Sequence, residues 1–141
     1  MREMKDSAVA LVHVGYDGLV HKRYRGPKAK ERYENELRVL KYLEKRGCDF
    51  VPRVVEEHPE ELYLITTNAG RIVSRISEEK MNELFDELAG YGVVHDDRAA
   101  RNITYSPQNG RFCIIDFEFA LIPETGEGLL LKDVEATGGN G

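Results

Sequence analysis

Three oxygen-bearing side chains in the second half of the chain are of the types that hold a divalent metal ion. Asp97 and Asn102 lie in the segment 95–102, which reads HDDRAARN, and Asp116 follows Asn102 after fourteen residues. Two short predicted strands, around 103–105 and 111–115, separate them. Mg²⁺ prefers carboxylate and amide oxygens and leaves room for substrate phosphates. The pattern therefore indicates a metal-dependent phosphoryl-transfer site.

The segment resembles the catalytic loop of the protein-kinase superfamily, H-x-D-x-x-x-x-N, and residues 116–118, DFE, are similar to its D-F-G metal-binding motif. The resemblance implies that Asp97 orients the acceptor hydroxyl and takes its proton. It implies that Asn102 and Asp116 bind Mg²⁺ or Mn²⁺, with Asp116 on the ion that bridges the phosphates of ATP. His95 would brace the loop.

Each of these residues also has a simpler interpretation. Asp and Asn are common in turns, where their side chains cap backbone groups. The complete set at this spacing, around a hairpin, favours the functional interpretation.

A second pair of residues in the first half agrees with the same resemblance. Lys22 lies on a predicted strand, and Glu36 lies within the apolar stripe of the next helix, where a carboxylate is costly unless it is paired. The family places a strand Lys and a helix Glu in this order, as an ion pair that positions the nucleotide phosphates. The resemblance thus implies that Lys22 and Glu36 bind the nucleotide, with Lys22 also part of the catalytic set.

Two alternatives to this pair stay open from the sequence. Glu36 could pair with Arg32 on its own helix, and Lys22 could be one of many basic surface residues. Lys41 and Arg23 are the nearest competitors for the roles in the pair.

Hydrophobic periodicity and turn signals predict the elements around these residues. They are a hairpin from Ala8–Val14 and Leu19–Tyr24, a helix over Lys28–Arg46, strands over Phe50–Glu56 and Glu61–Thr66, a second helix capped by Ser77 and ending near Gly90, and a hairpin turning at Asn109-Gly110.

The predicted fold class is α+β, a minimal protein-kinase-like fold with two lobes. A small antiparallel sheet with one helix forms the first lobe over 8–70, and a reduced helical second lobe with the catalytic hairpin covers 71–122. Residues 1–141 are expected to form a single domain, and 135–141 a disordered tail. By the resemblance, Thr66 to Gly70 joins the lobes and meets the adenine.

The chain departs from the kinase pattern in several places. No glycine-rich loop precedes Lys22 by a whole strand, and nothing after Glu118 resembles the large helical lobe. Asp96 replaces an Arg that reads a phosphorylated loop in many kinases, and Glu118 replaces the Gly of D-F-G. Asp-Phe-Glu is similar to choline and aminoglycoside kinases, whereas Arg98-Ala99-Ala100-Arg101 is similar to tyrosine kinases, so the acceptor, a protein or a small molecule, stays open.

The composition limits the classes of partner that we expect for this protein. The formal charge of −5 argues against a nucleic-acid partner. The absence of a long apolar segment predicts a cytoplasmic protein without a membrane anchor. The main prediction is an ATP-dependent phosphotransferase, and the alternative is a pseudokinase that serves as a nucleotide-binding regulatory module. A homodimer could supply the missing parts.

Overall fold

The first half of the chain forms a four-stranded antiparallel sheet. The computed structural model describes residues 10–134. The strand order is β1-β2-β4-β3, and the bounds are β1 Leu11–Val14, β2 Val20–Arg23, β3 Val54–His58 and β4 Tyr63–Thr66. Between β1 and β2 the Gly18 N–H donates to the Gly15 carbonyl at 2.9 Å, which closes the predicted turn. The predicted hairpin is confirmed from residue 10 onward; its first two residues lie outside the described range.

One long helix, α1 Ala29–Lys45, follows this hairpin, as predicted. It contains neither Gly nor Pro, and it ends before Gly47, whose φ of +80° suits the left-handed position after a helix. Its apolar stripe is buried. The same side of the helix also buries polar side chains, namely Arg32, Asn35 and Glu36. Polar groups in such a place require partners from the rest of the molecule.

The third strand begins later than predicted. Phe50 is completely buried, and its carbonyl accepts a hydrogen bond from Ile114 at 2.9 Å, so the chain here runs along the second half of the molecule. Pro52 has no N–H to donate to a ladder. The expected strand over Phe50–Glu56 is therefore wrong at its start, and β3 begins at Val54. A short 3₁₀ turn, Pro59–Glu61, likewise delays β4 to Tyr63.

The second half contains one helix and two small antiparallel sheets. The helix α2 Glu78–Gly90 begins as predicted at Ser77, whose side chain accepts a hydrogen bond from the Lys80 N–H at 3.0 Å. One sheet has the order β5-β7-β8 and the other β10-β9-β6. Their bounds are β5 Arg71–Ile72, β6 Val94–His95, β7 Ile103–Ser106, β8 Arg111–Ile114, β9 Ala120–Ile122 and β10 Glu127–Gly128.

The hairpin of β7 and β8 is the one predicted to turn at Asn109-Gly110. The sequence did not reveal the strands β5, β6, β9 and β10, because two or three residues are too few to show an alternating pattern. Buried residues from both halves form one contiguous apolar cluster. The two-lobe description and its boundaries stay a prediction. Within residues 10–134, no helix has both the length and the apolar character needed to cross a membrane.

The segment that connects β4 to β5 passes very close to β7 at Gly70. Gly70 has φ +97°, and a Cβ placed there would lie 1.9 Å from the Tyr105 carbonyl oxygen. We expect Gly70→Ala to lower the free energy of unfolding by about 3 kcal/mol or more, since backbone must shift. Gly110 also has a left-handed φ, +67°, but a Cβ there meets nothing within 4 Å. Gly110→Ala should therefore cost only about 1–2 kcal/mol. Urea unfolding of both variants measures this, and equal losses would contradict the steric argument.

Candidate functional site

One cavity of about 910 Å³ brings together every residue that the sequence analysis assigned to a site. Its polar wall carries these side chains: Lys22, Glu36, Asp97, Arg101, Asn102, Asp116 and Glu118. Its apolar wall includes Val12, Val14, Val20, Leu64 and Ile72, and the connecting segment from Thr66 to Gly70 also lines it. Residues from both halves of the chain thus face one space.

Lys22 and Glu36 form an ion pair, with Lys22 Nζ 2.7 Å from Glu36 Oε1. Strand β2 positions Lys22, and the buried side of α1 positions Glu36. The carboxylate of Glu36 also accepts hydrogen bonds from the Tyr24 hydroxyl and, at 2.9 Å, from the Phe117 N–H. The alternative partners face elsewhere: Lys41 pairs with Glu57.

Glu118 is a site residue that the sequence analysis did not assign to the site. Its Oε2 lies 2.7 Å from Lys22 Nζ, and its Oε1 accepts a hydrogen bond from Arg32 Nη1 at 2.9 Å. Arg32 is completely buried and pairs with Glu118 and not with Glu36. Asn35 adds a hydrogen bond from its Nδ2 to the Glu118 carbonyl at 3.0 Å. Three side chains of α1, those of Arg32, Asn35 and Glu36, are therefore bonded to residues 117 and 118.

A signal for Glu118 existed in the sequence. Arg32 lies four residues before Glu36 on the same side of the predicted helix, and a buried Arg requires a carboxylate. Which carboxylate lies opposite Arg32 depends on the tertiary structure, which places residue 118 beside α1.

The charges of this cluster change the acidity of its members. Burial alone would lower the pKa of Lys22, but the carboxylates of Asp116, Glu118 and Glu36 outweigh burial and raise it well above its ordinary value. Burial raises the pKa of Glu118. The negative charges of Asp116 and Glu36 raise it further, whereas the positive charge of Lys22 lowers it by less than these effects together. Burial also opposes the charge of Asp116, yet the ammonium of Lys22 prevails and lowers the pKa of Asp116. Lys22 is therefore a permanent cation at neutral pH.

Asp116 has an unusual backbone conformation. Its φ is +67°, in the left-handed region, which costs a non-glycine residue of the order of 1–3 kcal/mol unless the surroundings hold it. Hydrogen bonds on both sides do so: the Ile115 N–H donates to the Asn102 carbonyl at 2.9 Å, and the Phe117 N–H donates to Glu36. The side chain of Asp116 is 40% exposed toward the cavity and 3.2 Å from Lys22 Nζ.

The loop around Asp97 is braced by His95. The Asp97 N–H donates to His95 Nδ1 at 3.0 Å, so the proton of the neutral ring is on Nε2, which donates to the Ile115 carbonyl at 3.2 Å. The ring also packs on Phe117, with centroids 5.1 Å apart. His95 thereby connects the loop of Asp97 to the strand end that carries Asp116.

Asn102 and Asp97 are fixed to each other. Asn102 Nδ2 donates to the Asp97 carbonyl at 2.9 Å and to Asp97 Oδ2 at 3.1 Å. The amide oxygen of Asn102 consequently has no hydrogen-bond partner among residues 10–134 and is available to a ligand. The sequence analysis also missed Arg101, whose Nη2 lies 2.6 Å from Asp97 Oδ1 and 2.8 Å from Oδ2.

The cavity wall contains two groups of oxygen ligands, of which one suits a hard divalent cation and the other does not. The amide oxygen of Asn102 and the half-exposed carboxylate of Asp116 are of the types that Mg²⁺ and Mn²⁺ accept. Glu36, Asp116 and Glu118 also have oxygens within 4.8 Å of one another. Lys22 contacts all three of these carboxylates, so an ammonium group already takes the place of a cation there.

Asp96 has a structural partner. Its Oδ2 accepts a hydrogen bond at 2.8 Å from the N–H of Leu131, a residue that lines the cavity. Asp96 therefore fixes the segment after β10 against the loop of residues 95–102.

Comparison with known proteins indicates the fold. No known protein family matches the chain, and no curated protein matches it. Among solved structures, the co-crystal structure of WbdD with the kinase inhibitor LY294002 is similar, with a TM-score of 0.60 and 18% sequence identity. The similarity covers 84% of this chain and 32% of the WbdD chain. The described chain thus shares a fold with about a third of WbdD.

The buried pair of Glu118 and Arg32 gives a stability prediction. Glu118→Gln should lower the free energy of unfolding by about 3–5 kcal/mol, because it leaves the buried Arg32 and the largely buried Lys22 short of a carboxylate. Glu124→Gln is the matched control, because Glu124 is 68% exposed and lies 3.9 Å from Arg46. The control should lose less than about 1 kcal/mol. Thermal and urea unfolding measure both, and a loss for Glu118→Gln no larger than that of the control would contradict the assigned ion pair.

Proposed function

We propose that the chain binds ATP with Mg²⁺ or Mn²⁺ and transfers the terminal phosphate to a hydroxyl group, as a minimal kinase-like enzyme. The observation that carries the proposal is the convergence of Lys22, Asp97, Asn102 and Asp116 on one cavity. These residues come from a strand, a loop, the 3₁₀ turn Ala100–Asn102 and a strand end, and they are up to 94 residues apart. Their side-chain types and order are those that the resemblance to kinases implies.

The two walls of the cavity suit the two parts of a nucleotide. The valines of β1 and β2 offer an apolar surface to a flat base, and the backbone of the segment from Thr66 to Gly70 offers hydrogen-bonding groups at its edge. Lys22, held by Glu36 and Glu118, supplies a fixed positive charge for the phosphates. The similarity to WbdD, whose structure contains a kinase inhibitor, supports this proposal at the level of the fold.

Asn102 and Asp116 would hold the metal ion, which would neutralise charge on the transferring phosphate when bound. In the transfer itself the hydroxyl oxygen forms a bond to the terminal phosphorus, and the bond from that phosphorus to the bridging oxygen of ADP breaks. The hydroxyl proton goes to Asp97. Asn102 and His95 hold Asp97 in position for this step.

A second candidate function is a nucleotide-binding regulatory module without catalysis. One observation favours it: both carboxylate oxygens of Asp97 are already bonded to Arg101. The connection between β1 and β2 also offers only five residues, Gly15 to Leu19, in place of a glycine-rich loop. The other expectations stay predictions. They are a hydroxyl acceptor in a protein or a small molecule, a cytoplasmic location, a homodimer and the lack of a nucleic-acid partner.

The role of Asp97 is tested by separating binding from transfer. Asp97→Asn should retain ATP affinity but reduce the rate of phosphate transfer or ATP hydrolysis by about 10²–10⁴, the usual contribution of a general base. Asp86→Asn is the control, because Asp86 is 75% exposed on α2 and does not line the cavity. Equal rates for wild type and Asp97→Asn would remove Asp97 from the mechanism.

Metal and nucleotide binding are tested by thermal shift with ATP and Mn²⁺. The wild type should be stabilised by the pair together, and Asp116→Ala should lose most of that shift. A shift with no transfer activity would favour the regulatory module. Absence of any shift in the wild type would contradict nucleotide binding.

A further inference from the structure

Three of the four histidines of the chain lie on the outer face of the four-stranded sheet, the face turned away from the cavity. His13 on β1 and His21 on β2 are directly opposite each other in the antiparallel register. Successive side chains of a strand point to opposite faces, so His21 points away from the cavity that Lys22 lines. The rings of His13, His21, Tyr63 and His58 follow one another across the sheet, with centroids 4.9, 5.8 and 5.8 Å apart. The proposed reaction uses none of these imidazoles.

His21 faces the carboxylate of Asp17. Its Nε2 lies 3.3 Å from both Oδ1 and Oδ2 of Asp17. The bonds from zinc to an imidazole nitrogen and to a carboxylate oxygen are about 2.0–2.2 Å long, so two such ligands on one tetrahedral ion lie about 3.3–3.5 Å apart. Asp17 accepts a hydrogen bond from the Leu19 N–H, which lowers its pKa and keeps it charged at neutral pH. The two groups therefore have the separation and the charge of ligands that share an ion.

The surroundings of this pair also suit a metal ion. The Tyr63 hydroxyl lies 2.5 Å from His21 Nδ1. When Nδ1 carries the ring proton and donates it to this hydroxyl oxygen, the lone pair of Nε2 points toward Asp17. Metal-bound histidines usually have such a partner on the nitrogen that does not bind the ion. Gly15 leaves the space beside the pair open, since a Cβ at Gly15 would lie 2.8 Å from both His21 Nε2 and Asp17 Oδ1.

His13 is placed to supply a third ligand. Its side chain is exposed, and neither of its ring nitrogens has a hydrogen-bond partner within residues 10–134. Its ring is stacked on that of His21 with 10° between the planes, so it must rotate about its side-chain bonds before a nitrogen points at the same ion. Exposed side chains make such rotations within picoseconds to nanoseconds. Two imidazoles, one carboxylate and a water molecule are a ligand set that zinc accepts.

We propose that His13, His21 and Asp17 bind a transition-metal ion such as Zn²⁺ on the outer face of the sheet, with Tyr63 as the positioning residue of His21. Imidazole suits Zn²⁺, whereas Mg²⁺ prefers oxygen ligands, so this site and the cavity select different ions. The ion connects β1, the following turn and β2. Since β1 is an edge strand that contributes to the cavity wall, the ion also stabilises that wall. The inference does not depend on the proposed function.

The test titrates the metal-free protein with Zn²⁺ by isothermal titration calorimetry, in excess Mg²⁺ so that the oxygen ligands of the cavity do not contribute. The wild type should bind Zn²⁺. His13→Gln, His21→Gln and Asp17→Asn each remove one of three ligands and should each bind it at least about 100-fold more weakly. Tyr63→Phe keeps the ring but loses the hydroxyl that positions Nδ1, so it should lose about tenfold, as for other outer partners of metal-bound histidines. Metal-free thermal unfolding shows that each variant is folded.

His58→Gln is the matched control. His58 lies on the same face and pairs with Glu56 at 3.0 Å, but it belongs to β3, at the opposite edge of the sheet from β1. Its substitution should leave the Zn²⁺ affinity unchanged. A wild type that binds no Zn²⁺ would overturn the proposal, as would equal affinity in wild type and His21→Gln or an equal loss in His58→Gln.

Co²⁺ in place of Zn²⁺ reports on the geometry of the site. A four-coordinate Co²⁺ ion absorbs visible light much more strongly than a six-coordinate one. The wild-type complex should show the strong absorption, and Tyr63→Phe should need more Co²⁺ to reach it, a change that a purely structural role of Tyr63 would not produce. A weak spectrum typical of six ligands in the wild type would contradict the assigned site.

Discussion

Two cations, the completely buried Arg32 and the largely buried Lys22, constrain how the two halves of the molecule meet. A charge removed from water is unfavourable by several kcal/mol unless a well-placed partner compensates it. The partners come from distant parts of the chain. Glu36 lies on α1, and Glu118 lies four residues after the end of β8. Because Glu118 contacts both cations, the position of α1 and the position of residues 116–118 are coupled. The hydrophobic effect has no preferred direction. These ion pairs, in contrast, specify which residues of the two elements lie opposite each other.

This coupling explains why an unfavourable backbone is maintained at Asp116. The left-handed φ turns the carboxylate toward the cavity, and Glu36 accepts the hydrogen bond from the next N–H. The residue that pairs with Lys22 therefore also holds the conformation of the proposed metal ligand. The residues proposed to position a nucleotide and those proposed to position a metal therefore belong to one hydrogen-bonded unit.

The two ends of the cavity differ electrostatically. Around Lys22, three carboxylates surround one ammonium group, which already takes the place of a cation between them. Around Asp97, one carboxylate meets one exposed guanidinium, that of Arg101.

The sequence by itself determined the local elements and the residue types of the site. The stripe of α1, the cap at Ser77 and the turn at Asn109-Gly110 are encoded in neighbouring residues, and the structure follows them. The Lys22–Glu36 contact could also be predicted from the sequence, because a carboxylate on the buried side of a helix requires a cation. Their catalytic and binding roles stay predictions.

Only the tertiary structure decided how distant residues pair and which short strands form. Arg32 had carboxylates available on its own helix, and it pairs instead with Glu118, 86 residues away. The strands β5, β6, β9 and β10 exist because neighbouring segments bring their backbone groups into register, which no local pattern records. Arg101 gains its contact with Asp97 from the 3₁₀ turn at 100–102. Local propensity depends on nearby residues, whereas charge compensation and strand pairing depend on where the folded chain returns.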